Sequence, residues 1–368
     1  MIRVLHIVPR LDLTGVAKFI LNHWDRMNKS EFAFDFVNHG GPENFHSDLI
    51  NEGCKIFNLP FPHEVGNIVY YRMLRDIIRK GKYDIIHIHT GHYTGFTALM
   101  CSIYSPKSKV ICHAHTTKCM NPSHEKLMPL FRLMARIFAD KLFACGHEAG
   151  VFCFGKKARF EEIHNAVDLN VFKQQPIQDV MALKSSLNIP DGSKIIGHIG
   201  AFSHPKNHFY LLKIIEEYIK HNKSAIFVLL GVGPDFDAVV SKAEEMGISN
   251  NIRFVGSQKN VPLYLSMFDT FVLPSIHEGL PVVSAEAQAL GLNTVFSDTI
   301  DHTCDMGLGI MKFVSIDDNS IGQWCKAIDN NVRKPTEEEI HIAFEKKRYD
   351  IESSVAYLCQ TYKNLLTK

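Results

Sequence analysis

The chain has 368 residues, 46% hydrophobic and 21% charged, the composition of an ordinary globular protein and not of a disordered, collagen-like or coiled-coil chain. Lys and Arg total 40 against 39 Asp and Glu, a formal net charge of +1, which gives no reason to expect nucleic acid as a partner. No run reaches the ~18 uninterrupted apolar residues of a membrane-spanning helix, and at roughly 150 residues per domain the length suggests two or three domains or one large α/β unit.

In chain order, Met1 to Pro9 holds too short an apolar run for a secretory signal and reads as a buried first strand. Short β-branched runs then alternate with longer amphipathic ones, the pattern of parallel strands covered by helices. In the first half, strands are predicted at Val4–Val8, Ala33–Val37, Ile56–Leu59, Ile85–Ile88, Lys109–His113 and Lys141–Cys145. Helices are predicted at Val16–Met27, Ile68–Arg79, Tyr93–Tyr104 and Glu125–Ala139. The second half repeats the scheme, with strands at Ile195–Ile199, Ala225–Leu230, Asn251–Val255, Thr270–Leu273 and Asn293–Phe296. Its helices are predicted at Asn207–His221, Asp235–Met246, Pro281–Leu290 and Ile321–Asn330.

The polar, aperiodic Lys173-Gln174-Gln175-Pro176 places a boundary after Phe172. The expected division is a first domain over 1–172, a second over 173–345, and a C-terminal helix in 346–368 that crosses back to the first. Basic residues outnumber acidic ones in 1–172 and the reverse holds afterwards. A mildly basic first domain suits an anionic lipid surface or phosphorylated ligands, or is simply solvated. Nine cysteines with no Cys-x-x-Cys pair suggest free thiols in a reducing compartment, hence a cytoplasmic protein. Two doubly wound domains bind ligands at the carboxyl ends of their strands, and so in the cleft between them.

The stretch from Pro274 to Gly291 carries the most chemical information. A strand ending at Leu273 meets a Gly279-Leu280-Pro281 turn, with Pro281 suited to the first turn of a helix. Unpaired amides at that helix start suit diphosphate oxygens. Glu278 precedes the helix and Glu286 lies inside it, where a carboxylate can accept two hydrogen bonds from a vicinal diol such as a ribose; a helix cap and a solvated carboxylate are the plainer readings. Lys206 follows the Ile195–Ile199 strand, and its ammonium can reach a diphosphate through a charge-assisted hydrogen bond. A merely solvated lysine there would oppose the helix dipole. Gly231-Val232-Gly233-Pro234 permits a tight turn and is a weak nucleotide motif by itself. Asp235-Phe236-Asp237 reads as a helix start, where acids favour the dipole, and no metal is expected from it.

Among twenty histidines, His115 at a strand end can hydrogen-bond a sugar hydroxyl, and its ordinary pKa suits proton handling near neutrality; a structural histidine is the alternative. His87, His89 and His113 read as structural or acceptor-side. Cys112, His113, His115 and Cys119 could be grouped as a metal site, but strand alternation sends neighbouring residues to opposite faces. The basic amphipathic stretch Glu125–Lys141 either rests on anionic membrane or packs its apolar face on the first sheet.

Glu278 and Glu286, set in Pro274-Ser275-x-x-Glu278-Gly279-Leu280-Pro281, resemble the signature of the retaining glycosyltransferases of family 4. Other stretches follow in family order: Thr14-Gly15-Val16-Ala17, Asp84-Ile85-Ile86-His87-Ile88-His89, His113-Ala114-His115, Ile163-His164-Asn165-Ala166-Val167-Asp168 and Gly200-Ala201-Phe202-Ser203-His204-Pro205-Lys206-Asn207. The nearest subset is the enzymes of capsule, exopolysaccharide and O-antigen assembly.

The resemblance implies the α/β GT-B fold, two Rossmann-like doubly wound domains facing a central cleft, the first for acceptor and the second for nucleotide. It implies retaining transfer of a hexose or N-acetylhexosamine from a nucleotide sugar, UDP-linked, to a glycan or lipid-linked acceptor. No cofactor or metal is needed, and peripheral contact with the inner face of the plasma membrane is compatible. His115, Glu278 and Lys206 are then catalytic. Gly15, Ala201, Lys206, Val255, Gly256, Glu278, Gly279, Leu280, Pro281 and Glu286 hold the donor, with the Val255-Gly256 backbone against the nucleobase, while His89 and His113 are acceptor-side. Ala201 departs from the pattern, since the family usually has an arginine there, so one diphosphate clamp is missing. Two rivals remain: a sugar-nucleotide epimerase of the same fold, against which Glu278-Gly279-Leu280-Pro281 argues, and a non-catalytic nucleotide-sugar-binding protein, which only Ala201 supports.

Overall fold

The computed structural model describes residues 1–11, 15–39, 46–117, 119, 122–278 and 280–367, apart from the side chains of 46, 122 and 123. The chain forms two compact units, one of Met1–Ala166 with Ile351–Lys368 and the other of Val167–Asp350.

The first unit runs β1 (Ile2–Val8), α1 (Gly15–Arg26), β2 (Phe32–His39), α2 (His46–Asn51), β3 (Lys55–Leu59), α3 (Pro62–Val65), α4 (Asn67–Gly81), β4 (Ile85–Ile88), α5 (Thr94–Tyr104), β5 (Lys109–Ala114), α6 (Met128–Phe138), β6 (Lys141–Ala144), α7 (His147–Phe154) and β7 (Glu161–Glu162). Its seven strands lie in the order β3-β2-β1-β4-β5-β6-β7, all parallel. Successive side chains of a strand point to opposite faces, and both faces are buried here, as a parallel sheet requires. Leu5, Ile7, Ile86, Ile88, Val110 and Cys112 pack with residues of α4 and α5 such as Tyr70, Leu74 and Ala98. Val4, Val8, Ile85 and Ile111 pack on the other side with Phe19 and Trp24 of α1.

The second unit runs α8 (Ile177–Ser186), β8 (Ile195–Ile199), α9 (His208–His221), β9 (Ile226–Leu230), α10 (Phe236–Glu245), β10 (Ile252–Gly256), α11 (Val261–Met267), β11 (Thr270–Leu273), α12 (Val282–Ala289), β12 (Asn293–Ser297), β13 (Met311–Val314), α13 (Ile321–Ile328) and α14 (Glu337–Lys347). Its six parallel strands lie in the order β10-β9-β8-β11-β12-β13. Each sheet is of the doubly wound kind, its order reversing beside β1 or β8.

The last helix, α15 (Ile351–Thr367), returns to the first unit. Its Val355, Leu358 and Tyr362 are buried with Phe19, Phe34 and Phe143, Ser354 Oγ lies 2.9 Å from His23 Nε2, and Glu352 pairs with Arg26 at 3.3 Å. The expected domain limits need correcting. The division falls after Ala166 instead of Phe172 and after Asp350 instead of 345, because a parallel bridge joins Val167 to Asp350 and the Val167 N–H donates to the Tyr349 carbonyl at 2.8 Å. The helix expected over Glu125–Ala139 also divides: residues Pro122–Leu127 form a 3-10 turn, and the α-helix begins at Met128, one residue ahead of Pro129. Proline fits only the first turn, where its missing N–H costs nothing.

Candidate functional site

In the second unit, the loop after β8 and the loop after β11 are stitched together. The Ile276 N–H donates to the Pro205 carbonyl at 2.8 Å, and Asn207, the residue before α9 with φ 59°, donates its Nδ2 to the Pro274 carbonyl at 3.1 Å. Across this seam Lys206 Nζ donates to Glu278 Oε1 at 2.5 Å, and Ser275 Oγ donates to the same oxygen at 2.6 Å. Ser275 is held in turn through its carbonyl, which accepts from the hydroxyls of Ser297 and Thr299. The lysine and the glutamate are only 20% and 12% exposed, so the pair sits in a medium where a charge acts strongly. Sequence reasoning named Lys206 and Glu278 separately and missed Ser275 and Asn207, whose serine and asparagine side chains carry no signal until the two loops meet.

Glycines explain why a neighbouring loop approaches so closely. A Cβ on Gly231, at φ +138°, would lie 2.0 Å from the Gly200 carbonyl oxygen, and one on Gly233 would lie 2.3 Å from that of Phe202. The Gly231-Val232-Gly233-Pro234 turn is thus required by backbone packing against the 200–202 segment, with no nucleotide needed to account for it. Ala201 is exposed at that segment. Asp235 stands at the start of α10, and Asp237 lies in its first turn.

The remaining donor-side residues are placed as follows. Pro281 is the residue before α12, not its first turn, and brings no N–H. The first unpaired amides of that helix belong to Val282 and Val283. Glu286 is buried at 5% exposure within a helix whose residues 283–289 are all buried, which corrects the plainer reading of it as a solvated carboxylate. Leu280 is half-buried, and Gly279 lies outside the described residues, as does Thr14. At the end of β10 the Val255 carbonyl accepts from Gln258 Nε2, and the Gly256 carbonyl accepts from the Gly231 N–H at 2.8 Å. Both carbonyls are therefore engaged already. Gly15 opens α1, and its Cα faces Asn165.

In the first unit, alternation along three neighbouring strands collects five histidines on one face. His6 pairs in register with His87, and Ile88 pairs with Cys112, so His89 and His113 come next in line; His115 follows two residues on. His23 of α1 joins them, with its Nδ1 2.7 Å from the Phe19 carbonyl oxygen. Ring centroids are 4.3 Å apart for His87 and His89, 4.1 Å for His113 and His115, and 5.1 Å for His89 and His115. Cys112 points the other way, toward the Thr94 carbonyl, so the Cys–His metal grouping does not form, for the alternation reason given above. The same rule, applied at i and i+2, assembles the histidines, and that consequence was missed.

Burial drives these imidazoles to the neutral form. The pKa of His6 falls to about 3, that of His23 to about 4 and that of His115 to about 3, and those of His87, His89 and His113 lie well below the ordinary value; burial is the largest cause in each. The expectation that His115 titrates near neutrality is thereby corrected: it is a neutral hydrogen-bonding group. His89 and His113, expected to face an acceptor, are 1% and 0% exposed and reach no ligand directly, because α1 and α15 cover that face of the sheet. Two triads, His6-His87-His89 and His89-His113-His115, bring ring nitrogens within 4.8 Å of one another. The closest of those nitrogens are already at hydrogen-bond distance from each other, and neither triad includes a carboxylate.

Helix α6 has two apolar faces. Met128, Phe131 and Ala135 are buried, and the helix lies so close to α5 that a Cβ on Gly95 would be 1.9 Å from the Phe131 carbonyl oxygen. Leu130, Leu133 and Ile137, with Leu127 just ahead, are 43–60% exposed, a stripe at helical spacing. Arg136 and Lys126 are exposed, whereas Arg132 donates its Nε to the Phe152 carbonyl at 2.9 Å. The packing reading therefore holds for the Met128, Phe131 and Ala135 face, while the Leu130, Leu133 and Ile137 face stays open. Among the described residues no helix is long and apolar enough to cross a membrane.

Comparison with known proteins gives the following. The profile of glycosyl transferases group 1 matches residues 179–328, and that of Glycosyltransferase Family 4 matches residues 13–171. EpsF of Bacillus subtilis (strain 168), whose name assigns it to the glycosyltransferases without a donor or acceptor, is 30% identical over 98% of this chain and 96% of its own. The UDP-Gal:alpha-D-GlcNAc-diphosphoundecaprenol alpha-1,3-galactosyltransferase of Escherichia coli is 24% identical over 82% of this chain and 81% of its own. Among solved structures, Anabaena HepE in complex with UDP superposes with a TM-score of 0.77 at 16% identity, over 99% of this chain and 100% of that one. A glycosyltransferase from Rickettsia africae gives 0.81 at 15% identity, over 99% and 98%. At such identities the structural likeness is one of fold.

Proposed function

Because the chain belongs to the glycosyltransferases of group 1 and family 4, we propose that it moves a hexose or N-acetylhexosamine from a UDP-linked donor, with retention, to a lipid-linked acceptor in surface polysaccharide synthesis. One observation carries this reading. Lys206, Glu278 and Ser275 meet on one carboxylate oxygen where the loops after β8 and β11 are stitched together, beside the carboxyl ends of parallel strands, where such sheets take ligands. The capsular polysaccharide biosynthesis glycosyltransferase CapH of Staphylococcus aureus, 23% identical over 78% of this chain and 79% of its own, the undecaprenol-linked galactosyltransferase and the UDP complex of HepE support the polysaccharide, lipid and uridine parts of it.

In this scheme attack and departure occur on one face of the sugar. The acceptor oxygen bonds to the anomeric carbon as the bond to the diphosphate breaks, and the leaving diphosphate takes the acceptor proton. Lys206 and the first amides of α12 offset the charge that develops on the diphosphate, Glu278 orients the donor sugar, Glu286 takes the ribose diol and neutral His115 holds a sugar hydroxyl. No metal is needed, so activity should survive EDTA. The test of the donor is a thermal-shift panel of UDP-, GDP- and ADP-sugars: at 100 times its dissociation constant a ligand stabilises by about 2.7 kcal/mol, and UDP-sugars should give the largest shift. A larger shift with GDP- or ADP-sugars contradicts the uridine assignment.

The Lys206–Glu278 pair yields a second expectation. A carboxylate beside a bound diphosphate repels it, so Glu278→Gln should tighten UDP binding while lowering kcat, because the amide keeps a hydrogen bond but no longer balances the lysine. Unchanged UDP binding in a folded Glu278→Gln variant would place the glutamate outside the donor site, and weaker binding would contradict the repulsion.

The exposed stripe of α6 is read as a contact for anionic bilayer, on the strength of Lys126 and Arg136 beside it. Leu130→Glu with Ile137→Glu should abolish co-sedimentation with phosphatidylglycerol vesicles, and Arg136→Glu should weaken it. Binding should decline with salt as the Debye length shrinks from ~10 Å at 0.1 M to ~3 Å at 1 M. Unchanged sedimentation of the double variant would remove α6 from the contact. Arg132, tied to Phe152, is a packing residue and a poor probe of lipid.

A further inference from the structure

Three of the clustered histidines are joined end to end. His6 Nδ1 lies 3.1 Å from His89 Nε2, and His89 Nδ1 lies 2.9 Å from His115 Nε2. His89 thus spends both ring nitrogens on other imidazoles. A neutral imidazole has one N–H and one bare nitrogen, so His89 must donate at one end and accept at the other, and the whole chain has only two arrangements.

The far end distinguishes them. Among the described residues His6 Nε2 is buried with no hydrogen-bond partner, and its ring is packed 4.3 Å from Phe34 and 5.7 Å from Phe36, centroid to centroid. If His115 donated to His89, and His89 to His6, the proton of His6 would sit on that Nε2, leaving a buried N–H unpaired, whereas the large majority of buried side-chain polar atoms have a partner. In the opposite arrangement His6 Nε2 is only a bare lone pair. His6 Nδ1–H then donates to His89 Nε2, His89 Nδ1–H donates to His115 Nε2, and the proton of His115 is left on Nδ1.

We propose that His6 and His89 are positioning residues that lock His115 as its Nδ1–H tautomer, so that its remaining ring nitrogen meets the ligand as a hydrogen-bond donor. The partner it selects is an oxygen acceptor, such as a sugar hydroxyl lone pair. The inference rests on the reading of His115 as a sugar-contacting residue. Burial that holds all three rings neutral keeps the lock in force across the pH range in which the protein is folded.

The experiment is a long-range proton–nitrogen NMR correlation on the full chain with nitrogen-15-labelled histidine rings, assigned by single substitutions. The expected pattern is a protonated Nδ1 and a bare Nε2 on His6, His89 and His115. In His89→Leu, His115 should lose this pattern, and kcat should fall about 10–100-fold, by analogy with the loss of a partner that orients a metal-ligating histidine, with donor KM little changed. His89→Asn, whose amide N–H can stand where the Nδ1–H stood, should recover much of kcat. A proton on Nε2 of His115 in the unsubstituted protein overturns the proposal, and that result needs no variant to fold. An unchanged His115 tautomer in a folded His89→Leu overturns it equally. If His115→Ala leaves transfer intact, the sugar-contact reading fails instead, while the tautomer pattern is still decided by the spectrum.

Discussion

Lys206→Ala is expected to lower kcat/KM for the nucleotide-sugar donor by about 10²–10³-fold, the usual cost of deleting one preorganised group that meets transition-state charge. The residue is placed for that work. It lies at the end of a 3-10 turn, His204–Lys206, whose backbone is fixed by Asn207 and Ile276 to the 274–278 segment, and its ammonium is held by Glu278 before any donor arrives. The 200–207 segment has Ala201 where an arginine would add a second cation, so in the proposed scheme the lysine is the one cation of that segment assigned to the diphosphate. Stability should change by only a few °C, because Glu278 keeps Ser275 as a partner. Lys206→Arg should recover part of the loss, and Ala201→Arg should raise donor affinity in the unsubstituted protein. Near wild-type turnover in Lys206→Ala would move the diphosphate contact elsewhere.

Acid should unfold the first unit within about two pH units below 6.5. Six histidines there, His6, His23, His87, His89, His113 and His115, have folded pKa values of about 4 or less or well below 6.5. Between the unfolded value near 6.5 and those folded values, the unfolded chain binds protons that the folded one refuses. The sign is therefore loss of stability as pH falls through 6.5, with full stability above it. Each such group contributes ~1.4 kcal/mol per pH unit, so six approach ~8 kcal/mol per unit, against a total domain stability of about 5–15 kcal/mol. His113 isolates the effect, since neither of its ring nitrogens has a hydrogen-bond partner among the described residues. His113→Met should leave stability at pH 8 unchanged or higher, because replacing an unsatisfied polar group by an apolar one is neutral to favourable, and it should lower the acid midpoint. Circular dichroism against pH reads both. A gradual transition near pH 3, with a one-proton slope, would contradict the neutral cluster.

Much of this was legible in the sequence, for identifiable reasons. The strands Ile85–Ile88, Ile195–Ile199 and Thr270–Leu273 fall where the β-branched runs put them, since buried parallel strands are nearly continuous apolar runs. Strands β7 and β13 escaped: the first has only two residues, and the second is an edge strand whose Lys312 breaks its apolar run. Glu278 and Lys206 were visible through a turn motif and a helix start. Their direct pairing was not, because it depends on two loops 72 residues apart meeting at the ends of β8 and β11. The histidines were weighed one by one, and alternation was used only to separate Cys112 from His113. Its other half, that residues two apart on adjacent in-register strands share a face, needed the strand order β1-β4-β5, which crosses from the first strand to the fourth and cannot be read from local pattern.

The most direct test of the donor site is calorimetric titration of UDP in EDTA into the unsubstituted protein and into Glu286→Ala. Glu286 is buried in the helix that follows the Lys206–Glu278 pair, and it is assigned the ribose. Removing a polar partner of that kind costs about 1–3 kcal/mol, so binding without metal in the first protein and about 5–150-fold weaker binding in the second is the expected result. UDP affinity that is equal in the two folded proteins, or that appears only when manganese is restored, would contradict it.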